Sequence, residues 1–117
     1  MRTLGFLLIL GLALAQPLPK LPFPDNPDPS LCGIPTPWGR EEIVRLDGYY
    51  QGHLVEPLVH LYDSHARQKV VGRVPSGARV RIILFQSNPK LNYYFVRTVN
   101  LPKNLEGWVP QPFIRFR

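Results

Sequence analysis

Eight of the chain's 14 prolines fall between Pro17 and Pro37. Proline fixes φ, has no N–H to donate and pushes its predecessor toward extended backbone. A stretch reading P-L-P-K-L-P-F-P-D-N-P-D-P therefore builds neither a helix nor a central strand. The sequence predicts an extended, polyproline-II-like arm over residues 16–37. Leu18, Leu21, Phe23 and Leu31 give it apolar teeth. Two readings of the arm stand side by side: a spacer that lifts a domain off a surface, and an element that docks on a partner.

Upstream of the arm, Arg2 precedes an apolar run from Leu4 to Leu12, and Ala13-Leu14-Ala15 fits a small-x-small cleavage pattern. Residues 1–15 read as a signal peptide, with Gln16 the first mature residue. A spanning helix needs about 20 apolar residues, and Pro17 and Pro19 stop this run short. The expected location is secreted or periplasmic, at the cell envelope, with no membrane span left after cleavage. Cys32 is the only cysteine, so no internal disulfide forms. It is left to an intermolecular bond or to an inert thiol.

Downstream, residues 38–53 are a connecting segment. Asp47-Gly48 suits a two-residue hairpin turn between Ile43–Leu46 and Tyr49–Gln51. A short helix from Pro37 to Leu46 is the competing assignment. From residue 54 to 117 the pattern is all β, with strands expected at 59–62, 70–74, 79–85, 93–99 and 107–109. Val80, Ile82 and Leu84 share one parity, opposite to Arg79 and Arg81, and are expected to face inward. A chain of 117 residues has room for one small domain, and eight aromatics between Tyr62 and Phe116 supply much of its core.

Several of these segments, in order, resemble the bacterial SH3-like (SH3b) domain. They are Val59-His60-Leu61-Tyr62, Lys69-Val70-Val71-Gly72-Arg73-Val74-Pro75-Ser76-Gly77, Val80-Arg81-Ile82-Ile83, Tyr93-Tyr94 with Val96-Arg97, and Glu106-Gly107-Trp108-Val109. The resemblance covers roughly residues 54–117 and implies a small five-stranded all-β barrel. It also implies a ligand groove built from stacked rings, for which Tyr62, Tyr93, Tyr94 and Trp108 are the candidates, with Asp63 in the adjoining loop. The chain departs from the pattern at Leu61–Ala66, where small residues are usual. It also has a longer connection at Gln86–Leu91, and Tyr93 stands where Trp is common.

Charge divides the chain. Residues 16–56 hold three basic and six acidic side chains, residues 57–117 ten and two. A basic β domain attracts polyanions such as teichoic-type polymers, lipid phosphates or nucleic acid. Arg79 and Arg81 share a strand face, with Arg97 expected alongside. Catalysis has little support. Cys32 sits among prolines rather than at a helix start. There is no phosphate loop, dinucleotide fingerprint or carboxylate pair. In His60-x-x-Asp63-x-His65 the first two residues have opposite strand parity, which disfavours a metal trio. No cofactor is expected.

Three functions follow as expectations. The first is a non-catalytic exported module that recognises a peptidoglycan peptide or an envelope protein. The second is a structural subunit of an envelope assembly, docking through the arm. The third is polyanion binding by the basic barrel, with nucleic acid the least favoured ligand.

Overall fold

Alternating apolar and polar residues, punctuated by turn formers, give a nearly all-β structure. The computed structural model describes residues 20–22, 32–40, 42–67 and 69–116. The signal-peptide segment and the arm residues Leu18, Phe23 and Leu31 lie outside them. Among the described residues ten strands occur in chain order. They are β1 (Thr36–Pro37), β2 (Ile43–Leu46), β3 (Tyr49–Tyr50), β4 (His53–Leu54), β5 (Leu58–Tyr62), β6 (Val70–Pro75), β7 (Arg79–Gln86), β8 (Tyr93–Thr98), β9 (Glu106–Pro110) and β10 (Ile114–Arg115). A 3-10 turn, Gln111–Phe113, joins β9 to β10.

One sheet runs β10-β2-β7-β8-β9-β5-β6 and curls into a half-barrel. All its pairings are antiparallel. β7 organises it. One edge of β7 takes β8 along its length. The other edge takes β2 beside Arg79–Arg81 and β1 beside Leu84–Phe85. The sheet therefore starts at Thr36 rather than at residue 54. Residues 38–53 contribute β2, which lies between β10 and β7.

The hairpin expected at Asp47-Gly48 does not form, because β2 leaves to pair with β7 and β10. Gly48 serves another purpose. Its carbonyl accepts from the N–H groups of Val55 (2.8 Å) and Glu56 (3.1 Å). A Cβ there would lie 1.8 Å from the Glu56 carbonyl oxygen, so only glycine permits this approach. The hairpin that does form is β3–β4, turning at Gln51-Gly52. Both turn residues have positive φ, 51° and 83°, as the two-residue turns matched to strand twist require.

Val44, Leu46, Val59, Leu61, Val74, Val80, Ile82, Val96 and Val109 fill the concave side. Val80 and Ile82 face inward as their parity requires. Leu84 does not. A bulge between Ile82 and Leu84 inserts one residue, so Leu84 sits opposite Phe95 on the convex side and Phe85 turns inward against Tyr94. Leu21, in the proline-rich stretch, is also buried, at 9% exposure, and belongs to the core cluster.

Candidate binding surface

Residues directly opposite one another in an antiparallel pair project from the same face. Arg115 lies opposite Arg45, and Arg45 lies opposite Arg79. Three arginines thus stand in register across three adjacent strands. The neighbouring row on the same face continues with Ile43, Arg81, Arg97 and Glu106. Five guanidinium-bearing residues share the convex side of the β10-β2-β7-β8 part of the sheet.

They are not equivalent. Arg115 is consumed by structure. Its Nη1 donates to the Pro112 carbonyl (2.7 Å), its Nη2 to the Tyr49 carbonyl (2.9 Å), and its Nε lies 3.3 Å from Asp47 Oδ2. Arg97 pairs with Glu106 across β8–β9, its Nε donating at 2.6 Å. Both partners are well exposed, so the pair contributes about 0–1 kcal/mol. Arg45 and Arg79 are exposed and, among the described residues, neither carries an ion pair. Two like charges opposite each other on neighbouring strands repel, by on the order of 1 kcal/mol in water at such spacing. With Arg115, Ile43, Val44 and Gly77 they line a depression of about 360 Å³.

The sequence singled out Arg79, Arg81 and Arg97, and the register places all three on this face. Arg45 and Arg115 were missed. Their signal was the alternation itself: Arg45 has opposite parity to Val44 and Leu46, and Arg115 follows the inward Ile114.

The aromatic candidates lie elsewhere. Leu84, Phe95, Trp108 and Tyr62 form the next row on the convex side, each opposite its neighbour. Trp108 is only 9% exposed and Tyr62 only 1%. Arg67 lies over the Tyr62 ring at 5.4 Å and His60 stacks beside it at 6.4 Å. The loop that carries Arg67 is closed by Asp63, whose N–H donates to the Lys69 carbonyl (3.0 Å) and whose Oδ1 accepts from the Lys69 N–H (3.1 Å). Asp63 is exposed.

One further row along, Tyr93 is opposite Gln86 and Pro110, and all three are buried. Tyr93 and Tyr94 do point to opposite faces, but neither is exposed. Tyr94 joins Trp38, Phe85 and Phe116 inside the half-barrel at centroid distances of 5.0–5.5 Å for its own contacts. Burial, and secondarily the Glu42 carboxylate, raises its pKa above 10.0. The open groove expected of Tyr62, Tyr93, Tyr94 and Trp108 is corrected accordingly: Tyr62 lies under Arg67, Tyr94 packs against Trp38, Phe85 and Phe116, Trp108 packs against Phe95, and all four are buried.

Among the described residues no three His, Cys, Asp or Glu side chains gather in a metal-holding group, and no helix is long and apolar enough to cross a membrane. The chain matches no protein-family model, no curated protein and no solved structure.

Proposed function

We propose that the chain is an exported, non-catalytic binding module of SH3-like build. Its arginine face engages an anionic phosphodiester polymer of the cell envelope. One observation carries the reading: Arg45 and Arg79 stand directly opposite each other, exposed, without a counter-charge among the described residues. A fold that keeps two guanidinium groups in mutual repulsion gains when an anion lies between them. Arginine suits this task because its planar fork meets two phosphate oxygens at once. Arg81 and Arg97 extend the positive track along β7 and β8, so successive charges of a polymer meet successive side chains. The signal-like leader and the arm fit an extracytoplasmic module held at a surface. The reading with an aromatic peptide groove has less support, since the rings that would form it are buried. Envelope assembly through the arm has no specific observation in its favour beyond the burial of Leu21.

The test is a titration with inorganic polyphosphate across a salt series. Binding should weaken steeply as salt rises, with a log–log slope of about −0.7 per contacting charge. Replacing Arg45 and Arg79 together with Ser should flatten that slope by about two contacts. Binding indifferent to salt and to both substitutions would contradict the proposal.

A further inference from the structure

A second concavity, of about 430 Å³, lies where the 87–92 loop meets the 3-10 turn, away from the arginine face. Pro89, Leu91, Pro112, Ile114 and Phe116 give it its apolar walls, and Lys90, Asn92 and Gln111 its polar ones. Two of those walls are prolines, whose fixed φ holds them in place without a ligand. Asn88 also lines the concavity, and its side chain is anomalous. The residue is 8% exposed, and among the described residues neither Oδ1 nor Nδ2 has a hydrogen-bond partner.

The loop does not need that carboxamide for its shape. Asn92 does the tying. Its Oδ1 accepts from the Asn88 main-chain N–H (2.9 Å) and its Nδ2 donates to Gln111 Oε1 (3.1 Å). Its carbonyl accepts from the Gln111 N–H (2.9 Å). Polar groups buried with both halves unsatisfied are destabilising and rare. Beside a preformed concavity, a ligand can supply the missing partner.

A carboxamide offers one acceptor and one donor side by side. The complement is a ligand whose donor and acceptor also lie side by side. In an extended peptide, the N–H and C=O of one residue point the same way, as in the doubly bonded pairs of an antiparallel ladder. A single trans acetamide, as on an N-acetylated sugar, points them in opposite directions and satisfies only one half.

We infer that this concavity binds one residue of an extended peptide. Asn88 pairs with that residue's N–H and C=O, and the apolar walls receive its uncharged side chain. Both carboxamide atoms are sealed off from solvent in the free fold, so a turn about the Asn88 Cα–Cβ bond into the adjoining space accompanies binding. The site is independent of the polyanion reading, because none of its residues belongs to the arginine face.

The experiment follows amide and side-chain NH2 resonances of the isotope-labelled protein during addition of N-acetyl-alanine N-methylamide. N-acetylglucosamine and adenosine serve as separate arms. Saturable shifts at the Asn88 side-chain NH2 and at the Leu91 and Gln111 amides are expected with the dipeptide alone. Asn88→Leu should abolish them and raise the melting temperature, because it removes an unpaired buried group from a site whose shape rests on Asn92. Asn88→Ala should abolish them equally and covers a poor fit of leucine. The inference is overturned by absent shifts, by shifts that survive in both variants, or by shifts as large with the sugar or the nucleoside. A lower melting temperature in both variants would overturn it too, by showing that the carboxamide has a structural partner.

Discussion

The convex side of the half-barrel carries three neighbouring rows that differ sharply in what covers them. In the first, Arg81, Arg97 and Glu106 follow one another across β7, β8 and β9, and both ends of the Arg97–Glu106 pair are exposed. In the second, two residues along, Leu84 and Phe95 are half-buried and Trp108 nearly buried. In the third, Gln86, Tyr93 and Pro110 are buried outright. All three rows lie on the same three antiparallel strands, so strand identity does not set the difference. Chain folded onto the sheet does. The 63–69 loop lays Arg67 over Tyr62, and the chain at Gly33 lies against Gln86, whose Nε2 donates to the Gly33 carbonyl (2.7 Å). The arginine end has no such cover among the described residues. An aromatic ring on a convex face becomes core once a loop crosses it. An arginine row stays open unless carboxylates accompany it; Asp47 meets Arg115 and Glu106 meets Arg97, and Arg45 and Arg79 carry no ion pair among the described residues.

The largest expected effect is on the concave side. Ile82→Asp buries an unpaired carboxylate beside Val80 and Val96, and a charge without partner in that setting costs several kcal/mol. Single domains hold only about 5–15 kcal/mol in all, so chemical denaturation should find this variant largely unfolded. Next comes the covered row. Tyr62→Ala removes a ring that is 1% exposed and should cost about 3–5 kcal/mol, read as a lower denaturation midpoint at unchanged slope. A melt close to wild type would return Tyr62 to the surface and erase the contrast between rows. Substitution in the bare row should behave oppositely. Arg79→Ser alone should change stability by less than about 0.5 kcal/mol, and in low salt should raise it slightly as repulsion from Arg45 is relieved.

The smallest effect is at high pH. Tyr94 titrates above its ordinary 10.0, so its neutral form is favoured by the fold. Below pH 10 that contribution is fully present. As pH climbs past 10 toward the folded value, the unfolded chain loses its proton first, and stability drops. Tyr94→Phe has no such proton to lose. Its stability relative to wild type should rise across that window, as denaturation series at pH 9 and 11 would show.

Much of the β architecture was legible in the sequence because alternation survives locally. Val80 and Ile82 against Arg79 and Arg81 announce both a strand and its faces. What escaped was long-range or supplied by irregularity. Nothing near Ile43–Leu46 says that it lies beside Arg79–Arg81, so Arg45 was not placed opposite Arg79. Parity counting assumes an unbroken strand, and the bulge at Ile83 reverses it for Leu84. Asp47-Gly48 carries the chemistry of a turn, yet Gly48 is there for the closeness of Glu56. The aromatic candidates were correct as β residues and misplaced in depth, since no local pattern reveals which loop will cross a sheet. Asn88 had one signal, the extended Gln86–Leu91 connection, and no cue that its side chain would be buried unpaired.

On the proposed reading, Arg45 and Arg79 form an uncompensated pair whose missing counter-charge is an anion. A double-mutant cycle on Arg45→Ser and Arg79→Ser, melted in low salt with and without inorganic polyphosphate, measures it most directly. Without polyphosphate the two residues should couple repulsively, by up to about 1 kcal/mol, and added salt should erase the coupling. With polyphosphate the wild type should gain thermal stability and the double variant should gain little. Equal stabilisation of both by polyphosphate, or no repulsion between the two arginines at low salt, would contradict the account.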